Sequence, residues 1–340
     1  MGRSLVLLCC LASCASEDFS TISSEANCPE EQCGSNSTVI DGVPFWEAKL
    51  NTPRQGVTLL GFENLPAGAV ALDVVRDRLV AVDAAGDPMS ASIEHSKLRF
   101  GVNNQTYLVE IAKVNHKVHY IANDNNVPIE TYRMVYHSLI INDYKPLCET
   151  EAVGEDAAAI RDAIVFEGDR YDPVTRDVMH GEVTKGWFNI ACLDGSPAKT
   201  FRLRAAMAAL PAAPKIDTGR FQAAFSMWSA DYCGDGTPYT VPGEPLLVKD
   251  RADWISPSSG WTWGAKTEQP SSYEAVWGPN GAVCLDTPRR QENYPGKDLA
   301  AEVREYCHEV RQIWLPRCTD KDGNLALDWK AAGYYLTANP

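Results

Sequence analysis

The chain reads as an α+β protein, mainly β: an antiparallel, β-rich N-terminal half followed by a mixed, disulfide-bearing C-terminal half with two or three helices. Three observations predict it. From about residue 55 to 190, apolar and polar residues alternate with the period of two that marks half-buried strands. Beyond about residue 186 the pattern becomes mixed and two apolar stripes recur at helical spacing. Eight cysteines follow the first fourteen residues, an even set suited to pairing. With 340 residues, 45% of them hydrophobic and 22% charged, the chain can bury the core of one large or two modest domains.

The N-terminus has the layout of an export signal: a cation at Arg3, the apolar run Leu5 to Leu11, then the small residues Ala12 and Ser13. Seven apolar residues are too few to cross a bilayer core, which needs about 20 in a helix. Leu11-Ala12-Ser13-Cys14 resembles the bacterial lipobox, in which the Cys thiol receives diacylglycerol and the chain is cut before it. That resemblance makes residues 1–13 a lipoprotein signal peptide and Cys14 the acylated first residue. Several acyl chains anchor stably where one binds only marginally. Ala15 and Ser16, in place of Asp, imply retention at the outer membrane. An ordinary secretory signal cut nearby is the other reading, and both export the protein. Residues 14–50, rich at first in Ser, Glu, Asn and Cys, read as a tether. Asn36-Ser37-Thr38 and Asn104-Gln105-Thr106 match the glycosylation sequon, which the bacterial signal makes irrelevant.

Residues 51–185 form the β-rich domain. Its candidate strands are Val57 to Phe62, Val70 to Val75, Arg78 to Val82, Leu98 to Val102, Gln105 to Val114, Lys117 to Ile121 and Glu130 to Ile140. Turn signals separate them: Ala85-Gly86-Asp87-Pro88, Asn103-Asn104 and Asp124-Asn125-Asn126. In the last strand Tyr132, Met134 and Tyr136 share one face and Arg133 and His137 the other. His116 and His119 stand an odd number of residues apart, on opposite faces of a strand, and make a poor metal pair.

Residues 186–340 form the mixed half. Gly186 to Cys192 reads as a buried strand closed by the turn Asp194-Gly195-Ser196-Pro197. Phe221, Ala224, Phe225, Trp228 and Tyr232 mark a helix, with Asp217 or Thr218 as cap and Gly234 as stop. Leu299, Val303, Tyr306, Val310 and Ile313 mark a second, capped by Asp298 and ended by Pro316.

A net charge of -14 repels phosphate backbones and anionic headgroups, which excludes nucleic acid and a polybasic membrane patch as modes of binding. The membrane partner is then reached through the N-terminal lipid. In an oxidising compartment Cys28, Cys33, Cys148, Cys192, Cys233, Cys284, Cys307 and Cys318 are disulfide candidates. Cys28 with Cys33, and Cys307 with Cys318, close the shortest loops and are the first pairings to expect. The spacing Cys28-x₄-Cys33 lacks a second ligand pair for zinc, so no metal or other cofactor is assigned.

Ala230-Asp231-Tyr232-Cys233-Gly234-Asp235-Gly236 resembles the motif for which the ADYC domain family of exported and lipid-anchored bacterial proteins is named. Gln55 to Phe62, Lys145-Pro146-Leu147-Cys148, Phe188 to Ala198 and Asn280-Gly281-Ala282-Val283-Cys284 are similar to further stretches of that family, in the same order. The resemblance implies no established activity and covers roughly residues 55 to 285, while the division of the chain takes 186–340 as ADYC domain and C-terminal helix. The family pattern carries a Cys where this chain has Thr200, and a His and a Cys where it has Phe221 and Ala224. Loss of two Cys together implies that positions 200 and 224 face each other.

Cys233 lies at the C-terminal end of a helix beside Asp231 and Asp235, where negative potential raises a thiol pKa, so it reads as a disulfide partner rather than a nucleophile. Asp231 and Asp235 are the candidate carboxylates for acid and base chemistry, within what is first of all a turn. Asp320-Lys321-Asp322-Gly323-Asn324 offers oxygens like a calcium loop, with the glycine misplaced and no Glu at the twelfth position. Trp254, Trp261 and Trp263 form either an aromatic platform for sugars or part of a core. No hydrolase elbow, zincin motif, phosphate loop or dinucleotide fingerprint is present. The reading is a lipid-anchored envelope protein acting as a binding or structural module toward an envelope glycan or protein, with no catalytic residue assigned. An exported hydrolase working through Asp231 and Asp235 is the alternative.

Overall fold

The computed structural model describes residues 38–339 except 55, 122–124, 142, 149–161, 169, 172–177, 180–185, 194, 202–217, 241–245, 252–260, 263–266, 269–270 and 290–295. Its principal element is a nine-stranded antiparallel sheet. Six longer strands build it: β1 (Val57–Glu63), β2 (Lys97–Val102), β3 (Gln105–Ile121), β4 (Asn125–Ser138), β5 (Ala163–Glu167) and β6 (Phe188–Cys192). They run in the order β6-β5-β4-β3-β2-β1, flanked by Glu47–Ala48 beyond β6 and Pro53–Arg54 beyond β1, while Lys145–Pro146 pairs with β4.

Local chemistry sets this meander. Asn103 and Asn104, at φ 49 and 61, make the two-residue turn joining β2 to β3. Both central positions of such a turn need left-handed backbone, which Asn tolerates and which matches the twist of the strands. The strands expected at Gln105 to Val114 and Lys117 to Ile121 are one. The apolar phase slips between Ile111 and Val114, and a bulge between Ile111 and Lys113 absorbs the slip while pairing continues to Ile121↔Asn125. The strand expected from Glu130 to Ile140 starts earlier and stops at Ser138.

Both faces of the sheet are covered. On one, the three-stranded sheet Ala71–Val75, Arg78–Val82 and Pro88–Met89 lays Leu72, Val74, Leu79 and Ala81 against Leu98, Phe100, Ile111, Tyr132 and Met134. Each such aliphatic side chain contributes roughly 1.5–3 kcal/mol by leaving water. On the other, Ile129, Ile164, Phe166 and Ala191 meet Ala198 and Phe201 of a helical segment at 196–201, and Phe221 and Phe225 of helix α1 (Thr218–Ser229). Phe166 and Phe201 stack at 4.7 Å.

Helix α1 also serves a second sheet. Ala223, Ala224, Met227 and Trp228 pack over β7 (Leu247–Asp250), β8 (Ser272–Gly278), β9 (Gly281–Leu285) and β10 (Tyr335–Asn339), ordered β7-β10-β8-β9. Val248, Ala275, Trp277 and Tyr335 face the helix; Leu247, Val276, Cys284 and Leu336 face away, the period-two alternation of a sheet buried on both sides. Helices α2 (Leu299–Arg311) and α3 (Trp329–Ala332) complete this half. Among the described residues no helix is long and apolar enough to cross a membrane.

Several expectations are corrected here. The first sheet does not stop at residue 185: β6 is one of its strands, and Glu47–Ala48, from the stretch read as tether, pairs with β6. All five residues of β6 are buried, so it shows no polar face of alternating exposed residues, which hides its membership from sequence. The turn expected at Asp194 to Pro197 gives way to a helix from residue 196. Helix α1 ends at Ser229, because Ala230 takes a left-handed φ of 53, and Tyr232 and Gly234 lie beyond it. Helix α2 keeps its Asp298 cap, whose carboxylate accepts the Ala301 N–H, but it ends at left-handed Gln312 instead of reaching Pro316. Its buried stripe is Leu299, Val303 and Cys307, leaving Val310 exposed.

That stripe also re-pairs the cysteines. Disulfides join Cys148 to Cys192, Cys233 to Cys307 and Cys284 to Cys318. Cys307 therefore does not bond Cys318. The rigid helix aims Cys307 inward at the residues after α1, whereas Cys318 lies past the helix end, beside β9. Short separation along the chain loses to the direction of the side chain. Cys28 and Cys33 lie outside the described residues, as does Cys14. The three buried bridges suit an oxidising space outside the cytoplasm.

Candidate functional site

The segment after α1 is a clasp between that helix, the β8–β9 hairpin and α2. Its backbone turns back at once: the Asp231 N–H donates to Ser226 O at 2.9 Å and the Tyr232 N–H to Ala230 O at 3.0 Å. The Ala282 N–H then donates to Tyr232 O at 2.9 Å, seating the segment on the hairpin. Contact is closest at the two glycines. A Cβ on Gly234, at φ 65, would stand 2.2 Å from Asn280 O, and one on Gly281, at φ 103, would stand 2.7 Å from Tyr232 O. Both positions thus require glycine for conformation and for space.

Each functional side chain of the segment is turned inward. Asp231 is fully buried; its Oδ1 accepts the Asp235 N–H at 3.1 Å and its Oδ2 the Gly236 N–H at 3.0 Å. Asp235 accepts the Thr237 N–H at 3.0 Å and the Tyr306 hydroxyl at 3.0 Å, tying the loop to α2. Cys233 holds Cys307 of the same helix, and Arg311 donates to Gly234 O. Both oxygens of Asp231 thus accept backbone donors, and Asp235 holds the Thr237 N–H and the Tyr306 hydroxyl.

Tyr232 enters the second core. Its ring stacks on Trp277 at 5.3 Å, and its hydroxyl donates to Glu274 Oε1 at 2.6 Å. Arg289 reaches the same carboxylate twice, Nε to Oε1 at 2.7 Å and Nη2 to Oε2 at 3.1 Å, and also donates to Met227 O at 2.8 Å. Burial, and then the Glu274 charge, hold the Tyr232 hydroxyl well above its ordinary pKa, against the opposing pull of Arg289. It therefore acts as a neutral donor. The Glu274–Arg289 pair had no signal in the sequence, since neither residue lies in a motif and they come from different segments.

The other singled-out positions scatter. Trp254 and Trp263 lie outside the described residues, and Trp261 opens a two-residue strand, Trp261–Thr262, paired with Thr267–Glu268. His116 and His119 both lie on β3, where the odd separation stands. Asp320 Oδ1 accepts the N–H groups of Asp322 and Asn324 at 2.9 and 3.0 Å, so this carboxylate shapes a turn. Thr200 and Ala224 are both buried, on helical elements whose neighbours Phe201, Phe221 and Phe225 share one cluster.

A cleft that sequence reasoning did not anticipate lies where β3 begins and β4 ends. It has a volume of about 270 Å³ and is lined by Asp41, Gln105, Tyr107, Tyr136, Ser138, Ile141, Asp143 and Lys145. The Tyr107 hydroxyl donates to Gln105 Oε1 at 3.1 Å, and the Asp41 N–H to Tyr136 Oη at 3.3 Å. Burial first, and then Asp41, push the Tyr107 hydroxyl up to about 12. The lining mixes hydroxyl, amide, carboxylate and ammonium groups.

A family model described as the ADYC domain matches residues 90–291. This span begins before β2 and ends past Arg289, so the domain takes in the centre of the large sheet and is not confined to residues 186–340. No curated protein and no solved structure matches the chain.

Proposed function

The chain belongs to the ADYC domain family, and from that premise we propose that it is a lipid-anchored protein of the cell envelope in which the family motif is a structural clasp and the work is binding. The observation that supports this most is the burial of Asp231, with both oxygens on backbone donors, which leaves the motif without a carboxylate facing solvent at that position. A general acid or base must come within hydrogen-bond reach of substrate. The binding surface in this reading is the cleft between Asp41 and Lys145, whose polar lining suits an envelope glycan; a protein partner is the other candidate. Anchoring rests on Leu11-Ala12-Ser13-Cys14 alone, export also on the oxidised cysteines, and the outer membrane is the expected site.

Asp231→Asn tests the clasp. The expected result is a lowered melting temperature with unchanged binding on a glycan array at a temperature where the variant is folded. An unchanged melting temperature together with loss of a hydrolytic activity of the native chain would overturn it in favour of an exported hydrolase. For the anchor, Cys14→Ser should move the full chain from the membrane to the soluble fraction, and a chain that stays with the membrane would refute lipidation at that thiol.

A further inference from the structure

Directly after β4 the chain exposes three consecutive aliphatic residues, Leu139 at 58%, Ile140 at 84% and Ile141 at 64%, with Tyr144 close behind at 47%. Scattered apolar residues on a surface mean little, but a contiguous run held outward marks a contact. This run is held. Leu139 N–H donates to Thr106 O at 3.2 Å, and Ser138 Oγ accepts the N–H groups of Ile140 and Ile141 at 3.0 and 3.3 Å. Tyr144 packs on His137 with ring centres 4.5 Å apart.

The place of the run in the fold says what it meets. Ile141 lines the same cleft as Asp41, three residues from the first described residue, Thr38. Three residues of strand span about 10 Å, so the N-terminal stretch joins the fold on this side of the molecule. The Val39 N–H donates to Leu147 O at 3.2 Å, binding that entry to the segment returning from the run. Residues 15 to 37 separate Thr38 from Cys14 and reach no more than about 85 Å at full extension.

We propose that Leu139, Ile140 and Ile141 form a second membrane contact, entering the interface of a leaflet with neutral headgroups beside the N-terminal anchor. This rests on the anchored reading above, specifies which face the anchor brings to the lipid, and sets the cleft, which shares Ile141 and Lys145, at the level of the headgroups. Tyr144 and Lys145 at its margin are the residue types that sit at the headgroup level, an aromatic with a polar end and a cation on an apolar stem. Asp41 and Asp143 beside them, and the net charge of -14, disfavour anionic lipid.

The test uses the full chain, reconstituted with phosphatidylcholine vesicles whose acyl chains are brominated near the headgroup, as Ile140→Trp and, for comparison, Val70→Trp at another exposed position. Emission added by Ile140→Trp should be at least halved relative to unbrominated vesicles, while that added by Val70→Trp is unchanged. Absence of quenching in a chain that carries fatty acid on Cys14 would overturn the second contact and leave the anchor standing. Quenching in a chain without fatty acid would support the contact and refute the anchor. Absence of quenching with a native dimer that Ile140→Asp separates would overturn the proposal and assign the tip to a second copy of the chain.

Discussion

Replacing Glu274 with Gln should destabilise the protein by about 3–5 kcal/mol, the penalty for leaving a buried charge without its partner. The geometry explains the size. Neither Glu274 nor Arg289 reaches solvent to any extent, with side-chain exposures of 0% and 2%. The carboxylate accepts two N–H groups of Arg289 and the Tyr232 hydroxyl, at 2.7, 3.1 and 2.6 Å. Gln has the same shape but only one acceptor atom, and its amide would point N–H groups at a guanidinium that has none but donors. Weakening hydrogen bonds to charged groups costs about 1.5–3 kcal/mol each, which reaches the same range. At about 1.4 °C per kcal/mol for a chain of 340 residues, the midpoint should fall by roughly 4–7 °C. Thermal unfolding under non-reducing conditions, followed by near-ultraviolet circular dichroism, reads this directly. Glu274→Leu combined with Arg289→Met removes both charges and should recover most of the loss, since apolar replacement of a buried pair is often neutral. A single substitution costing under about 1 kcal/mol, or a double costing the sum of the singles, would show that the pair does not hold the motif in place.

Gly234→Ala should cost about 2–5 kcal/mol, from left-handed backbone and from overlap with Asn280 O, and a urea midpoint equal to that of the native chain would contradict the close crossing. The Glu110 carboxyl is raised by burial, but His95 and Lys97 outweigh this and hold its pKa below the ordinary value. A lowered folded pKa means that stabilisation is present above the unfolded value of about 4.3 and is lost as pH falls below it. The stability gap between the native chain and Glu110→Gln should therefore shrink between neutral and acid pH, and a constant gap would refute the assignment. Tyr107 has the opposite sign: its hydroxyl, raised to about 12, favours the folded state below the ordinary value near 10 and loses that contribution as pH rises between the two. Tyr107→Phe should flatten the alkaline limb of a stability profile. Thr200→Cys with Ala224→Cys should yield a crosslinked peptide by mass spectrometry after non-reducing digestion, whereas two alkylatable thiols would separate those helical elements.

Strand positions were legible because they follow from local alternation. Arg78–Val82 stands where its residues predict it, and the Asn103-Asn104 turn needs only the left-handed tolerance of two side chains. Tyr132, Met134 and Tyr136 fall in one core for the same reason of parity. Strand β6 was recognised as a strand but not as part of the first sheet, because a segment buried on both faces shows no preferred side. The exposed run at Leu139 to Ile141 was equally hidden: apolar residues after a strand look like more strand until the hydrogen bonds to Ser138 show where it stops.

From the residue order alone came the fold class, the family motif, the charge and cysteine parity, and the cap on α2, each set by composition or by groups a few positions apart. Only the tertiary structure decided which cysteines meet, that Asp231 is consumed by backbone donors, and that Glu274 and Arg289 close around Tyr232. The disulfides and the Glu274–Arg289–Tyr232 contacts join segments 15 to 74 residues apart, whereas the donors to Asp231 lie only four and five residues along the chain. Their partners are chosen by the direction in which a helix or strand aims each side chain, and separation along the chain carries no record of that direction.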